Sequence, residues 1–232
     1  MTSDEQRNGR RELTHPAVRI NLRPLAGPLP LGLYSFGIGM MVIGAQTAGW
    51  IPVRQDLQVG LVIASFVFPL ELLAVIFGFL ARDTLAVTVL GLFTTSWLTQ
   101  GLALILGPPG VPSVTLGFFL MAFSAVIYVT SLVAISGKPL LGLIMFLSAS
   151  RGVLDGLFQF TGTHGVALAA GIVATVIAGL ALYSGTAFLM EELRHRAILP
   201  VFRRGNSATA IQGQLSDQLL PATAEAGVRE QL

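Results

Sequence analysis

Cysteine is absent from all 232 residues, which removes disulfides, thiol nucleophiles and Cys-based metal sites together. Lysine occurs once, as Lys138 between two apolar segments. No buried amine is therefore on hand for a Schiff base, and a retinal protein is excluded. The three histidines, His15, His164 and His195, are too scattered to share a metal ion, so no metal or other cofactor is expected. Ser148 and Ser150 have no histidine base nearby in the chain, and serine in an apolar helix ordinarily bonds back to the backbone. Without a nucleophile–base pair or a metal cluster, an enzyme is not expected. No glycine-rich phosphate spacing follows a strand, and no basic patch is interleaved with aromatics, so nucleotide and nucleic-acid binding are not expected. Charge itself is scarce. Only 11% of residues are Asp, Glu, Lys or Arg, against about a quarter in soluble domains.

What fills the chain is apolar, at 53% of residues, gathered into six segments each long enough to cross ~30 Å of hydrocarbon. They run over about 31–50, 59–81, 84–107, 113–136, 139–160 and 166–190. The breaks fall at Arg82-Asp83, Pro108-Pro109-Gly110, Gly137-Lys138 and Thr161-Gly162-Thr163-His164-Gly165. Short connections make consecutive helices antiparallel neighbours. The expected fold is an all-α membrane protein of six transmembrane helices. Residues 1–26 read as a basic tail, 27–201 as the membrane domain, and 202–232 as a Gln/Ala/Ser-rich disordered tail. If the N-terminus is cytoplasmic, every Lys and Arg outside the spans except Arg54 falls on the cytoplasmic side. The positive-inside rule then places both termini in the cytoplasm of a cell inner membrane.

Small residues recur every four positions at Gly44/Ala48, Gly91/Thr95/Thr99 and Gly171/Thr175/Gly179. Such faces let helices approach closely, and packing within the bundle is the expected use. Three ionisable residues lie inside the spans: Glu71 in the second, Arg151 and Asp155 in the fifth. Arg151 and Asp155 sit one helical turn apart, about 6 Å along the axis, on one face. Charges at this depth normally face protein or a water-filled path. If all three share a layer, Arg151 could attract a carboxylate while one acid carries a proton. The alternative is a fixed ion pair, Arg151 with Asp155 or Glu71, that ties helices together.

Gly27-Pro28-Leu29-Pro30-Leu31-Gly32-Leu33 resembles the signature N-P-A-P-L-G-L of the acetate/succinate permease family, the SatP/YaaH type, matching at Pro28, Pro30, Leu31, Gly32 and Leu33. The register continues through Phe36, Ala48-Gly49, Asp83-Thr84-Leu85, Thr88, Phe93 and Trp97 to Tyr183, Glu192, Arg196 and Leu199-Pro200, covering about residues 27–201. The resemblance implies a six-helix protomer with a pore through its own bundle, a homo-hexamer, and passage of acetate and related short carboxylates. It also implies a hydrophobic constriction, to which Phe36 and Phe93 would contribute, with a third residue on the fifth helix left unassigned. Four features depart from the pattern. Gly27 replaces the signature asparagine, Phe93 the constriction tyrosine and Glu71 a glutamine, and Arg151 and Asp155 interrupt a helix that relatives keep apolar. The leading expectation is a proton-linked transporter or channel for small monocarboxylates such as acetate, succinate being possible. A urea or short-amide channel of similar architecture, or a non-transporting scaffold or sensory partner, are the alternatives.

Overall fold

The structure, a computed structural model, describes residues 26–81, 83–194 and 198–204. Expectations for the remaining tail residues, for Arg82 and for the family-like Arg196 lie outside the described residues. Among the described residues there is no strand, and six helices are long and apolar enough to cross a membrane. They are α1 (Leu29–Thr47), α2 (Val53–Leu80), α3 (Thr84–Leu106), α4 (Val114–Gly137), α5 (Pro139–Thr161) and α6 (His164–Arg194). Polar caps mark starts where the sequence offers them. Asp83 accepts from Ala86 N at 3.1 Å to open α3, and Ser113 accepts from Leu116 N at 3.3 Å to open α4. Proline opens α1 and α5, where its missing N–H costs nothing. Helix α6 runs to Arg194, one turn beyond its expected end near Met190.

Helix α2 is not uniform. Pro69 cannot donate to the carbonyl of Ser65, and its ring crowds that carbonyl. The chain responds by widening over Ile63–Val67 into a π segment, in which Phe68 N donates five residues back to Ile63 O. One residue more per turn rotates everything after it by about 100° relative to a plain helix. Glu71 thereby lands on the inward face.

The helices form a ring in the order α1, α2, α3, α4, α5, α6, with α6 closing on α1. The α1–α6 seam is close-packed: a Cβ on Gly171 would stand 2.6 Å from Ala48 N and from Gly44 O. Tyr34 and Thr186 share a hydrogen bond across it at 2.9 Å. The α4–α5 seam is equally tight, with Gly117, Gly152 and Gly156 letting Phe160, Ser124 and Met121 approach. By contrast α3 and α4 meet thinly, chiefly through Phe93 and Phe123. The small-residue faces therefore divide. Gly44, Ala48 and Gly171 pack inside the bundle as expected, whereas Thr95, Thr99 and Gly179 face outward.

Both ends of the described chain lie at one end of the bundle, where Gly27 sits against the Glu192 carboxylate. At that end Lys138 Nζ meets Asp83 Oδ2 at 2.6 Å, joining the α2–α3 and α4–α5 turns. Residues after α6 fold back along the same surface. Tyr183 donates to Pro200 O at 3.1 Å, Val201 is buried, Arg203 pairs with buried Glu191 at 2.6 Å, and Arg204 N donates to Gly137 O at 2.9 Å.

Candidate functional site

At the opposite end the ring encloses a vestibule of about 550 Å³. Its rim is the α3–α4 connection, where Leu106, Pro109 and Val111 are exposed, and the start of α6 at His164. Asp56, at the start of α2, is only 2% exposed and holds this rim in place. It accepts from Gln46 Nε2 at 3.0 Å and from Gly110 N at 3.1 Å, pinning the connection to the end of α1. Gln159 Oε1 accepts from Ser113 N at 2.7 Å on the other side. Gln100 of α3 lines the wall, and Arg151 and Asp155 line the cavity from α5.

Arg151 is 4% and Asp155 5% exposed, and their Nη2 and Oδ2 atoms stand 2.6 Å apart. The contact is a close ion pair rather than an aligned hydrogen bond, and Arg151 Nε has no partner. Nη1 of the same guanidinium points at Met40 Sδ, 3.9 Å away on α1. The pair lies wholly within α5, so it does not tie two helices together. That corrects the fixed-pair expectation on the point of what is joined.

One turn before Met40 along α1 lies a cluster of aromatic side chains. Phe36 meets Phe93 edge to face with ring centroids 4.8 Å apart, and Trp97 at 5.9 Å. Phe93 in turn meets Phe123 of α4 at 5.2 Å. Edge-to-face pairs at such distances are a favourable aromatic arrangement. Gly39 keeps α1 near enough for this, since a Cβ there would stand 3.2 Å from the Trp97 ring. Phe36, Phe93 and Trp97 are all buried. On the far side of the aromatics the chain-end half begins with the signature segment, whose Gly32 lets Leu90 and Ala74 pack directly on α1.

Of the residues singled out in the sequence, Phe36 and Phe93 come into contact, and so do Arg151 and Asp155. Glu71 does not join them. It is 0% exposed, does not line the vestibule, and faces Trp97 and Thr94 with neither carboxylate oxygen in a hydrogen bond. Pro28, Pro30, Leu31, Gly32 and Leu33 build the first turns of α1, with Pro30, Gly32 and Leu33 buried. Asp56, Gln46 and Phe123 were missed. Asp56 could have been suspected from an acid next to an apolar span, but its partner Gly110 lies 54 residues away.

A family model described as the GPR1/FUN34/yaaH family matches residues 11–203. No curated protein sequence matches the chain. A solved structure described as the bacterial acetate channel SatP is similar at a TM-score of 0.67 and 20% identity, covering 76% of this chain and 99% of that one. At that identity the likeness speaks for the fold, six helices closed into one bundle. With a family model spanning most of its length, the chain belongs to the GPR1/FUN34/yaaH family.

Proposed function

We propose that the chain is a membrane transporter or channel for short monocarboxylates, acetate foremost, and not an enzyme. One observation carries this reading: within a single protomer a vestibule lined by Gln100, Arg151 and Asp155 opens at one end of the ring, and the buried aromatic contact of Phe36 with Phe93 lies one helical turn along α1 from Met40, which the Arg151 guanidinium faces. An apolar constriction under a wet mouth excludes hydrated ions by dewetting and admits small solutes one at a time. Family membership and the likeness to a structure described as a bacterial acetate channel support the solute class. The outward Thr88, Thr95 and Thr99 of α3 and Gly179 of α6 support assembly of protomers side by side, as a homo-hexamer, because small residues suit helix contacts between subunits. The excess of basic residues at the chain-end side supports an inner-membrane orientation with both termini cytoplasmic, the membrane domain spanning 27–201 between two tails. Passage is linked to protons.

Proteoliposomes carrying the protein should take up labelled acetate faster than protein-free vesicles, and faster still with an inward proton gradient. Uptake equal to that of empty vesicles by a folded, correctly inserted protein would remove the proposal. Mass photometry of the detergent-solubilised protein should give six copies, and a monomer would remove the hexamer.

A further inference from the structure

We infer that the vestibule floor takes an uncharged solute carrying a hydrogen-bond acceptor beside a donor, the undissociated short carboxylic acid or its primary amide, held across Arg151 and Asp155. This rests on the solute pathway proposed above and names the form in which the solute travels.

Charge decides first. A free guanidinium at the floor would draw in a carboxylate, but Arg151 is already neutralised by Asp155 at 2.6 Å on its own helix. Among the described residues the other ionisable side chains lining the vestibule are Asp56 and His164, and no further Lys or Arg lines it. With His164 neutral the lining carries one negative charge in excess, and with His164 protonated it carries none. Neither state favours an incoming anion.

Hydrogen bonding decides next. Arg151 Nε is buried without an acceptor, and Asp155 Oδ2 has no aligned donor despite the short contact. A buried pair of charges gains from groups that complete its hydrogen bonding. A carboxylic acid offers its carbonyl oxygen to the guanidinium and its O–H to the carboxylate. A primary amide offers C=O and N–H in the same shape. A carboxylate ion offers acceptors only, leaves Asp155 without a donor and adds a second negative charge beside it.

The aromatic contact of Phe36, Phe93 and Phe123 lies beyond. An ion leaving water there meets a penalty far larger than a neutral polar molecule does. On this account the proton crosses on the solute. Glu71, buried against Trp97 and outside the vestibule, is not the carrier.

The test compares acetate-carried current with acetamide flux in the full-length protein. In planar bilayers near neutral pH the wild type should pass no acetate-carried current. In vesicles it should raise labelled acetamide flux several-fold above the protein-free level. Asp155→Asn uncovers the guanidinium and should create an acetate current, which a purely structural role for Asp155 would not do. Should that variant fail to fold, Arg151→Gln with Asp155→Asn, which removes both charges from the site, should pass no acetate current and lower acetamide flux several-fold, and unchanged acetamide flux in that variant overturns the inference. An acetate current in the wild type without acetamide flux overturns this inference and leaves the monocarboxylate pathway standing. Methylammonium flux exceeding that of acetamide also overturns it, in favour of a cation path. Absence of any protein-dependent flux overturns the pathway itself.

Discussion

Phe93 is the residue on which the aromatic cluster depends, because it touches Phe36 on α1 and Phe123 on α4 at once. Phe93→Ala should cost about 3–5 kcal/mol of packing and widen the constriction. A lowered melting temperature in detergent should therefore accompany faster solute uptake, and slower uptake by a folded variant would separate Phe93 from the barrier. Arg151→Ala leaves Asp155 charged and buried, a change worth about 3–5 kcal/mol in comparable cases. Arg151→Met combined with Asp155→Leu should recover most of that loss in thermal unfolding, because an apolar pair strands no charge. The i,i+4 spacing made this ion pair legible in the sequence, since both partners sit on one helix. Phe36 with Phe93 was legible only through a family register, and Phe123 was not legible at all. Which of many phenylalanines meet across a bundle depends on helix rotation, and an apolar span with no polar face leaves rotation undetermined.

At the scale of elements, five of the six spans both start and end within about four residues of where hydropathy put them. The differences have physical causes. Helix α2 gained an N-terminal turn because Asp56 is satisfied by Gln46 and by the backbone of a distant connection, so a polar residue joins the helix. Its π segment follows from Pro69, yet only coordinates show that the chain widens rather than kinks. Small-residue faces gave one pattern with two fates, and a contrast between them is measurable. Gly171→Leu drives a side chain onto the backbone of α1, where neighbours cannot give, and should destabilise by about 3 kcal/mol. A Cβ on Gly179 meets nothing within 4 Å in the protomer. Gly179→Leu should leave protomer unfolding unchanged and weaken assembly, read as a shift to smaller species by mass photometry. The segment after α6 offers a third element-level test. Arg203→Ala removes the partner of Glu191 and should cost about 2 kcal/mol, seen in thermal unfolding and absent from an Arg204→Ala control, whose contact is made by its backbone.

For the whole molecule, the asymmetry of basic residues and the even number of spans bear on orientation. The natural absence of cysteine makes this directly checkable. In intact cells, Arg54→Cys should react with a membrane-impermeant maleimide, and Lys138→Cys should react only after lysis. The reverse result would invert the protein in the membrane. A second consequence comes from the ion pair's place on a single helix. Transporters that rock one half against the other need contacts that break in one state and re-form in the other. Arg151 and Asp155 ride together on α5, so no sliding of α5 past α1 or α4 makes or severs their bond. The polar centre of this protein is thus a rigid unit on one helix rather than a latch between two. Solute flux should therefore saturate at a binding step on α5, with a temperature dependence set by the side-chain motion that parts Phe36 from Phe93.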